Sequence, residues 1–422
     1  MIDRRTLCTA LAAGAAGWPG LRASANDVDA QPDVSLPIGN DYFGMHIHRL
    51  VSKTGSPLTE WPGPVAIGAL RLWDSGVRWA DIEPQPGLWN FTLFDAYVDS
   101  AALHGASVLY TLGSTPRWAS ARPDEAGPYG PGCAAEPARM TDWIAYVRQV
   151  VSRYRGRIQA YELWNEPIFA DIARDRGAPG FFSGRVATLV EMARHARAVI
   201  DELDPAAKLA TPGLVNGVDR LQLFLDAGGA LLVDAVAYHF YSDGTPRFVT
   251  QVDDVRRVMR RCGVASKPLW NTECGVDDGE SPALLAQLLL LGAAQRVERF
   301  YYYAWDDEYT GMLAAGPSAR ARTAAYAQAQ GWLQGTTVSP PERLPAGVLR
   351  IRARRGEERL AFLWAERESR LTQPAPTGWK LASVERLFEA SRPMAPDEHA
   401  ANRAATLKLS PLPLCVRWIA EA

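Results

Sequence analysis

The chain of 422 residues is longer than an ordinary single domain, and with 47% hydrophobic and 22% charged residues it has the composition of a globular protein with a large buried core. Its formal net charge of −2 excludes the strongly basic surface that nucleic acids and anionic membranes attract. Past the N-terminal segment, no apolar run is long enough to span a bilayer. We therefore expect one large and one small domain, with neither nucleic acid binding nor membrane insertion after signal cleavage.

The first residues have the features of an export signal. Arg4 and Arg5 precede a run rich in Ala, Leu and Gly, and Ala23-Ser24-Ala25 fits the small-x-small pattern of a cleavage site. The pattern predicts a signal peptide over residues 1–25 and a periplasmic or secreted protein, by either the Sec or the twin-arginine route. An ordinary first helix is the alternative. We assign no disulfide pairs among the four later, irregularly spaced cysteines, Cys133, Cys262, Cys274 and Cys415.

Short runs of β-branched and aromatic residues then alternate with longer segments of helical periodicity. Eight runs are candidate strands, over residues 42–48, 69–74, 107–113, 158–166, 208–215, 235–241, 267–273 and 299–306. Eight strand–helix units predict a (β/α)8 TIM barrel, which we assign to residues 36–336. A doubly wound open sheet is the competing fold, but it requires a Gly-rich phosphate loop after its first strand, where this chain has "GMHIHRL".

The pattern changes after Gly335. "TTVSPPERLPAG" has the composition of a linker, and the segments after it alternate between apolar and polar residues, as in "VLRIRARRG" and "RLAFLWAE". This alternation is typical of short antiparallel strands. We predict a small β-sandwich-like domain over residues 345–422.

Two glutamates stand where predicted barrel strands end. Glu166, in "AYELWNEPIFA", closes the fourth strand before Pro167, and Glu273, in "PLWNTECG", closes the seventh. In a (β/α)8 barrel the carboxyl ends of the strands surround the active-site cavity, and strands four and seven lie nearly opposite each other. Two carboxyl groups facing each other across a cavity are the groups that cleave glycosidic bonds. The sequence therefore predicts a glycoside hydrolase site.

With these motifs the sequence resembles the retaining glycoside hydrolases of clan A. The resemblance is carried by "WNEP", by "WNTECG" and by four further residues that match the clan's pattern, namely Arg71 in "LRLWD", His239 and Tyr241 in "YHFY", and Trp305 in "YYYAWD". "LRLWDSGVRWADIEPQPGLWNFTLFD" and "GSTPRWAS" are most similar to family 39, in its Psl-type exopolysaccharide hydrolase branch. The third strand lacks the histidine that several families of the clan carry there.

The resemblance implies a role for each matched residue. Glu166 would be the acid/base and Glu273 the nucleophile, which Arg71 and Tyr241 would keep ionised. Asn165, directly before Glu166, would bind the sugar 2-hydroxyl, and His239 would orient that network. Trp305 would form the floor beneath the sugar, because an indole face matches the C–H face of a pyranose. An alternative for Arg71 is a structural ion pair with Asp74 or Asp306.

Two further residues are candidates for substrate contact. His46 shares a strand face with His48, and we expect it to contact substrate or pack in the barrel, because a metal pair lacks a third ligand at suitable spacing. Trp118, in the long loop after strand three, is either a sugar-stacking platform or a local packing residue. We predict no metal and no cofactor.

The substrate expected from these features is an oligo- or polysaccharide. The long loop after strand three favours a walled groove and cleavage within a polymer, so we expect an endoglycosidase. The resemblance to family 39 implies a bacterial exopolysaccharide as its substrate. A closed pocket would instead make an exo-acting, β-xylosidase-like glycosidase. A non-catalytic glycan-binding barrel is a third possibility, and a deacetylase would need an Asp–His–His metal cluster that the sequence does not offer. The sequence leaves the oligomeric state open.

Overall fold

The computed structural model describes residues 36–52, 60–175, 180–277, 279–313, 316–389, 392–393 and 404–421. The predicted signal peptide, residues 1–25, lies outside these ranges. Eight parallel strands form one sheet in the order β5-β4-β3-β2-β1-β8-β7-β6. They are β1 Phe43–Met45, β2 Ala69–Leu72, β3 Ser107–Leu112, β4 Ala160–Leu163, β5 Lys208–Ala210, β6 Val236–His239, β7 Leu269–Cys274 and β8 Val297–Tyr302.

The sheet closes into a barrel between its first and last members. Residue pairs Ala210–Ala235 and Leu214–Tyr238 form parallel bridges between the β5 and β6 segments. Helices follow each strand from β2 onward, as the sequence predicts, with two between β2 and β3 and none between β1 and β2 in the described residues. They are α1 Trp79–Ile82, α2 Thr92–Leu103, α3 Met140–Arg153, α4 Val186–Leu203, α5 Val218–Asp226, α6 Thr245–Arg261, α7 Pro282–Ala294 and α8 Pro317–Leu333. The predicted TIM barrel is confirmed.

Helix α7 contains the most apolar run of the described chain, and every residue from Ala283 to Ala294 is buried. Its side chains pack between the barrel and neighbouring elements, and the Gln287 side-chain amide donates to the Pro411 carbonyl oxygen of the C-terminal domain at 2.7 Å. The apolar run is thus a buried helix of the protein core. Among the helices of the described ranges, none combines the length and the apolarity needed to cross a bilayer.

The C-terminal domain is antiparallel. Its larger sheet has the order β10-β11-β12-β17-β14-β15, with β9 also paired to β11, and β13 and β16 form a second, two-stranded sheet. The strands are β9 Thr337–Val338, β10 Glu342–Leu344, β11 Val348–Arg355, β12 Glu358–Ala365, β13 Ser369–Pro374, β14 Trp379–Arg386, β15 Arg392–Pro393, β16 Ala404–Leu409 and β17 Leu414–Ala420. The two sheets share an apolar cluster that includes Leu363, Leu409 and Trp418, which confirms the sandwich-like β domain.

The barrel interior is built in layers because side chains alternate along each strand. One layer is an apolar cluster of mostly small residues from several strands around Trp270 and Tyr301, comprising Ala69, Leu109, Ala160, Ala210, Ala235 and Ala237. Two residues further along the strands, the same inward face carries polar side chains, namely Arg71, Thr111, Glu162 and His239. The apolar layer therefore forms the floor beneath a buried polar layer near the carboxyl ends of the strands.

Candidate active site

Arg71 of β2 is the centre of the polar layer. Its side chain is fully buried. Its Nε and Nη2 donate to Glu162 Oε2 at 2.8 and 2.5 Å, Nη1 donates to Glu273 Oε2 at 3.0 Å, and Nη2 also donates to Asn165 Oδ1 at 2.7 Å. Burial alone would lower the pKa of Arg71, but the charges of Glu162 and Glu273 raise it. The guanidinium therefore stays charged and joins β2 to β4 and β7.

Glu273 of β7 is almost completely buried, with 1% of its surface exposed. One carboxylate oxygen accepts the Arg71 hydrogen bond, and the other accepts from the Tyr241 hydroxyl at 2.8 Å. A cation and a phenolic hydroxyl thus contact different oxygens of the same carboxylate. Charge-assisted hydrogen bonds of this kind fix the position of the carboxylate.

Glu166 lies beside Glu273 at the opening of the barrel. Its side chain is 15% exposed, and its Oε1 is 2.9 Å from Nδ1 of the fully buried His239. The same nitrogen is 3.9 Å from Glu273 Oε2. One oxygen from each glutamate and one ring nitrogen of His239 all lie within 4.8 Å of one another. The two carboxyl groups are therefore close enough to act on one atom between them.

The backbone that carries Glu166 is bent. Strand β4 ends at Leu163, three residues earlier than the sequence predicts, and Trp164 and Glu166 both have left-handed φ angles, of 65° and 39°. Such angles cost energy for residues other than glycine and persist only where surrounding contacts hold them. Here the Trp164 indole N–H donates to the Phe181 carbonyl oxygen at 2.6 Å, and the Glu166 N–H donates to the Gly213 carbonyl oxygen at 2.8 Å.

Asn165 lies between these two residues and is fully buried. Its Oδ1 accepts from Arg71, which determines the orientation of the amide. Its Nδ2 has no hydrogen-bond partner among the residues that the structure describes. A buried amide donor without a partner is unusual, and it is available to a ligand oxygen.

His46 and Trp305 lie next to this network. The Nε2 of His46 donates to the Thr272 carbonyl oxygen at 3.0 Å, one residue before Glu273. Burial, and then the charge of Arg71, hold the pKa of His46 well below its ordinary value, so the ring is neutral. The Trp305 backbone N–H donates to the His46 carbonyl oxygen at 2.8 Å, and the indole is 5% exposed. The indole N–H lacks a hydrogen-bond partner within the described part of the chain.

Trp118 is held in place by local contacts. Its indole N–H donates to the Glu83 carbonyl oxygen at 2.9 Å, and its ring meets Trp79 edge-on at 6.2 Å between centroids. Of the two roles expected for Trp118, these contacts favour packing of the loop after β3.

The partners expected for Arg71 in a structural ion pair bind other groups. Asp306 accepts from the His48 and Arg49 backbone N–H groups, and Asp74 accepts from the hydroxyls of Tyr129 and Tyr303. The main partner of Arg71 is instead Glu162, which the sequence analysis does not single out. The alternation of "AYELWNE" offers a signal for it, since Glu162 is the inward-facing charged residue of β4.

Glu166, His239 and Glu273 could also present two oxygens and one nitrogen to a cation. The Arg71 guanidinium, 3.0 Å from Glu273, already brings positive charge to that carboxylate and opposes a divalent ion there. We therefore assign no metal to these side chains.

Gly213 allows the closest approach in the site. A Cβ at this position would lie 2.4 Å from His239 Nε2 and 2.9 Å from Glu162 Oε1, distances at which atoms must move apart. The backbone of Gly213 also bonds the 164–166 segment, as acceptor from Glu166 and as donor to the Trp164 carbonyl oxygen at 3.2 Å. The absence of a side chain at this position lets β4, β6 and the segment after β5 meet.

The change Gly213→Ala should therefore destabilise the protein by about 1–3 kcal/mol, because the added methyl group overpacks a buried site. Urea unfolding of the full chain measures this loss. Gly63→Ala is the matched control, since a Cβ at Gly63 meets nothing within 4 Å, and it should change the free energy of unfolding by less than about 0.5 kcal/mol. Equal stabilities of the two variants would contradict the close approach at Gly213.

No protein-family model matches the sequence, and no curated protein matches it. Solved structures do match. A glucosidase from Croceicoccus marinus is 15% identical with a TM-score of 0.60, over 92% of this chain and 98% of that one. The GH39 enzyme from Xanthomonas axonopodis pv. citri is 15% identical with a TM-score of 0.62, over 92% and 96%. A family 30 subfamily 8 xylanase from Clostridium acetobutylicum is 14% identical with a TM-score of 0.62, over 93% and 98%.

These similarities extend over nearly the whole of each chain, so both the barrel and the C-terminal β domain are shared. At 14–15% identity, the shared property is the fold. The chain thus has the fold of glycoside hydrolases of families 39 and 30, in agreement with the resemblance noted in its sequence.

Proposed function

We propose that this protein is a retaining glycoside hydrolase that cleaves O-glycosidic bonds within a bacterial exopolysaccharide. The observation that carries the proposal is the proximity of Glu166 and Glu273, since one oxygen of each belongs to a group of atoms within 4.8 Å of one another. Retaining enzymes place their carboxyl groups about 5–5.5 Å apart, whereas inverting enzymes leave room for a water molecule at about 6.5–9.5 Å. The short separation favours direct attack by a carboxylate.

The different surroundings of the two glutamates support different roles for them. Glu273 is buried and held by Arg71 and Tyr241, so it is the ionised group that attacks the anomeric carbon. Glu166 is partly exposed at the opening, where a leaving group departs into solvent. His239 Nδ1 bonds Oε1 of Glu166, and when it donates there, the transferable proton resides on Oε2.

The reaction then has two steps. In the first, a Glu273 oxygen forms a bond to the anomeric carbon, the glycosidic C–O bond breaks, and Glu166 gives its proton to the leaving oxygen. In the second, a water oxygen attacks the same carbon, Glu166 takes the water proton, and Glu273 leaves as a carboxylate. Two inversions at one carbon give net retention. Loss of the Glu273 charge in the ester favours ionisation of Glu166, which prepares it to act as a base.

The neighbouring residues are proposed to hold the sugar. The unpartnered, buried Nδ2 of Asn165 is the donor proposed for the 2-hydroxyl, a contact that strengthens in the transition state. Trp305 is proposed as the floor beneath the pyranose ring. His46, neutral and next to Trp305, is proposed as a further substrate contact.

Two observations support a polymeric substrate. The loop after β3 is long and rich in Pro and Gly, as the walls of a cleft are. Several similar structures are enzymes described as acting on polymers, including the xylanase from Clostridium acetobutylicum and a family 44 xyloglucanase from Paenibacillus polymyxa. The glucosidase from Croceicoccus marinus keeps an exo-acting glycosidase as the second candidate. The exopolysaccharide itself is proposed from the family 39 resemblance.

We also propose that the protein is exported to the periplasm or secreted. The support is the sequence of residues 1–25, with paired arginines and the Ala23-Ser24-Ala25 pattern. N-terminal sequencing of the exported protein should begin at Asn26, and an intact Met1 would argue against export.

The proposed activity is tested by incubating the purified protein with defined bacterial exopolysaccharides and measuring product sizes. We expect intermediate-length fragments early in the reaction, because an endoglycosidase cuts within the chain. The variant Glu273→Ala should bind the same polysaccharide and release no product, and chelators should leave the wild-type rate unchanged. Single sugars as the first products would select the exo-acting candidate, and full activity of Glu273→Ala would refute the glycosidase.

The acid role of Glu166 is tested with two leaving groups. Glu166→Ala should lose at least about 100-fold in kcat/KM on the polysaccharide, because general acid catalysis contributes about 10²–10⁴-fold. On an aryl glycoside with an acidic phenol, the first step needs little protonation, so its rate should fall much less. Single-turnover kinetics isolate that step. Equal losses on both substrates would be inconsistent with Glu166 as the acid.

A further inference from the structure

We infer that Glu162 is a positioning residue that determines how strongly Arg71 binds the nucleophile. This inference rests on the proposed function and extends it to a side chain inside the barrel. Glu162 is completely buried in β4, four residues before the proposed acid Glu166. Within the part of the chain that the structure describes, its carboxylate accepts hydrogen bonds from Arg71 and Thr111, so its effect on the reaction passes through Arg71.

Arg71 donates more hydrogen bonds to Glu162 than to Glu273. Glu162 Oε2 accepts from Arg71 Nε at 2.8 Å, from Arg71 Nη2 at 2.5 Å and from the Thr111 hydroxyl at 2.8 Å. Glu273 receives one Arg71 hydrogen bond, at 3.0 Å. Because Nε and Nη2 lie on one edge of a rigid plane, their bonds to Glu162 fix the direction in which Nη1 points toward Glu273.

The charges around Arg71 do not cancel. One guanidinium lies between two carboxylates, those of Glu162 and Glu273. The other titratable groups facing this pair come from several elements. They are the neutral His46 just after β1, Tyr301 of β8, whose pKa burial raises, Asp74 beyond β2, Cys274 of β7, Tyr241 and His239 of the β6 segment, and Glu166.

Glu162 therefore takes up a large part of the positive charge that would otherwise stabilise Glu273. A carboxylate that is stabilised less by its surroundings is the stronger nucleophile, because less stabilisation is lost when it forms the ester. Glu162 would in this way make Glu273 more reactive, while Arg71 and Tyr241 stabilise its charge.

Glu162 also matters after the first step. When Glu273 becomes an ester it loses its charge, and Arg71 would then be a buried cation without a counter-charge from that side. A buried charge whose partner is removed is strongly disfavoured. Because Glu162 keeps its bonds to Arg71 throughout, the guanidinium stays paired in the covalent intermediate. Arg71 can thus stay paired both before and after the glycosyl-enzyme forms.

The inference is tested by the pH dependence of Glu162→Gln on an activated aryl glycoside. The variant keeps the shape of the side chain and removes its charge. We expect the acidic limb of the kcat/KM profile to move to lower pH by about one unit, since an Arg⁺ no longer shared favours the ionised form of Glu273. We also expect the single-turnover rate of the first step to fall by up to about tenfold with substrate affinity nearly unchanged, because one such unit corresponds to a factor of ten in the stability of the Glu273 charge, which is lost as the ester forms.

Thr111→Val is the matched variant, and it provides the test on its own if Glu162→Gln does not fold. It removes the hydroxyl that donates to Glu162 while leaving both carboxylates in place. Glu162 then draws more strongly on Arg71, so the acidic limb should move by a few tenths of a unit in the opposite direction, to higher pH. A purely structural role for Glu162 predicts loss of stability with an unmoved profile in both variants, and that result would overturn the inference.

Two results separate the role of Glu162 from the glycosidase activity itself. If the wild-type protein hydrolyses the aryl glycoside and Glu273→Ala does not, an unmoved acidic limb in Glu162→Gln refutes the inference alone. If Glu273→Ala is as active as the wild type, the proposed function fails, and the role of Glu162 fails with it.

Discussion

The burial of one guanidinium is the constraint on which the site depends. Arg71 has no contact with solvent, so its charge must be balanced by carboxylates of the barrel itself. Glu162 and Glu273, on two other strands, accept its hydrogen bonds, and Asn165 in the segment after β4 accepts a further one. Removing one partner of such a buried pair costs about 3–5 kcal/mol, so the register of β2, β4 and β7 is tied to the integrity of this layer. The hydrogen bonds of Arg71 that orient the proposed catalytic site therefore also stabilise the fold.

The barrel explains how these charges come together. Parallel strands point their carboxyl ends to the same side, and alternation sends every second side chain inward. Ala69 and Ala160 sit in the apolar layer, and two residues later the same strands place Arg71 and Glu162 in the polar layer. The small residues of the lower layer are buried around Trp270 and Tyr301. A buried apolar floor of this kind strengthens the electrostatic interactions above it.

Much of the fold and part of the site follow from local sequence patterns. All eight barrel strands are predicted, because apolar periodicity is a property of neighbouring residues. The structure brings Glu166, Glu273, Arg71, Asn165, His239 and Tyr241 into one network, as expected from strand ends that share one side of a barrel.

What the sequence does not reveal depends on distant contacts. The partner of Arg71 is Glu162, 91 positions along the chain, and finding it requires knowing which strands lie near each other and in what register. The early end of β4 follows from left-handed angles at Trp164 and Glu166 that are held by Phe181 and Gly213, residues of later segments. The packing role of Trp118 likewise depends on Trp79 and Glu83, which its own loop does not contain.

The configuration of the first product tests the account most directly. Proton NMR of a reaction started with a glycoside of one anomeric form shows the configuration at the anomeric carbon before mutarotation. The proximity of Glu166 and Glu273 predicts a first product with the configuration of the substrate. A product of inverted configuration would contradict the account, because it requires a water molecule between two carboxylates that lie too close to admit one.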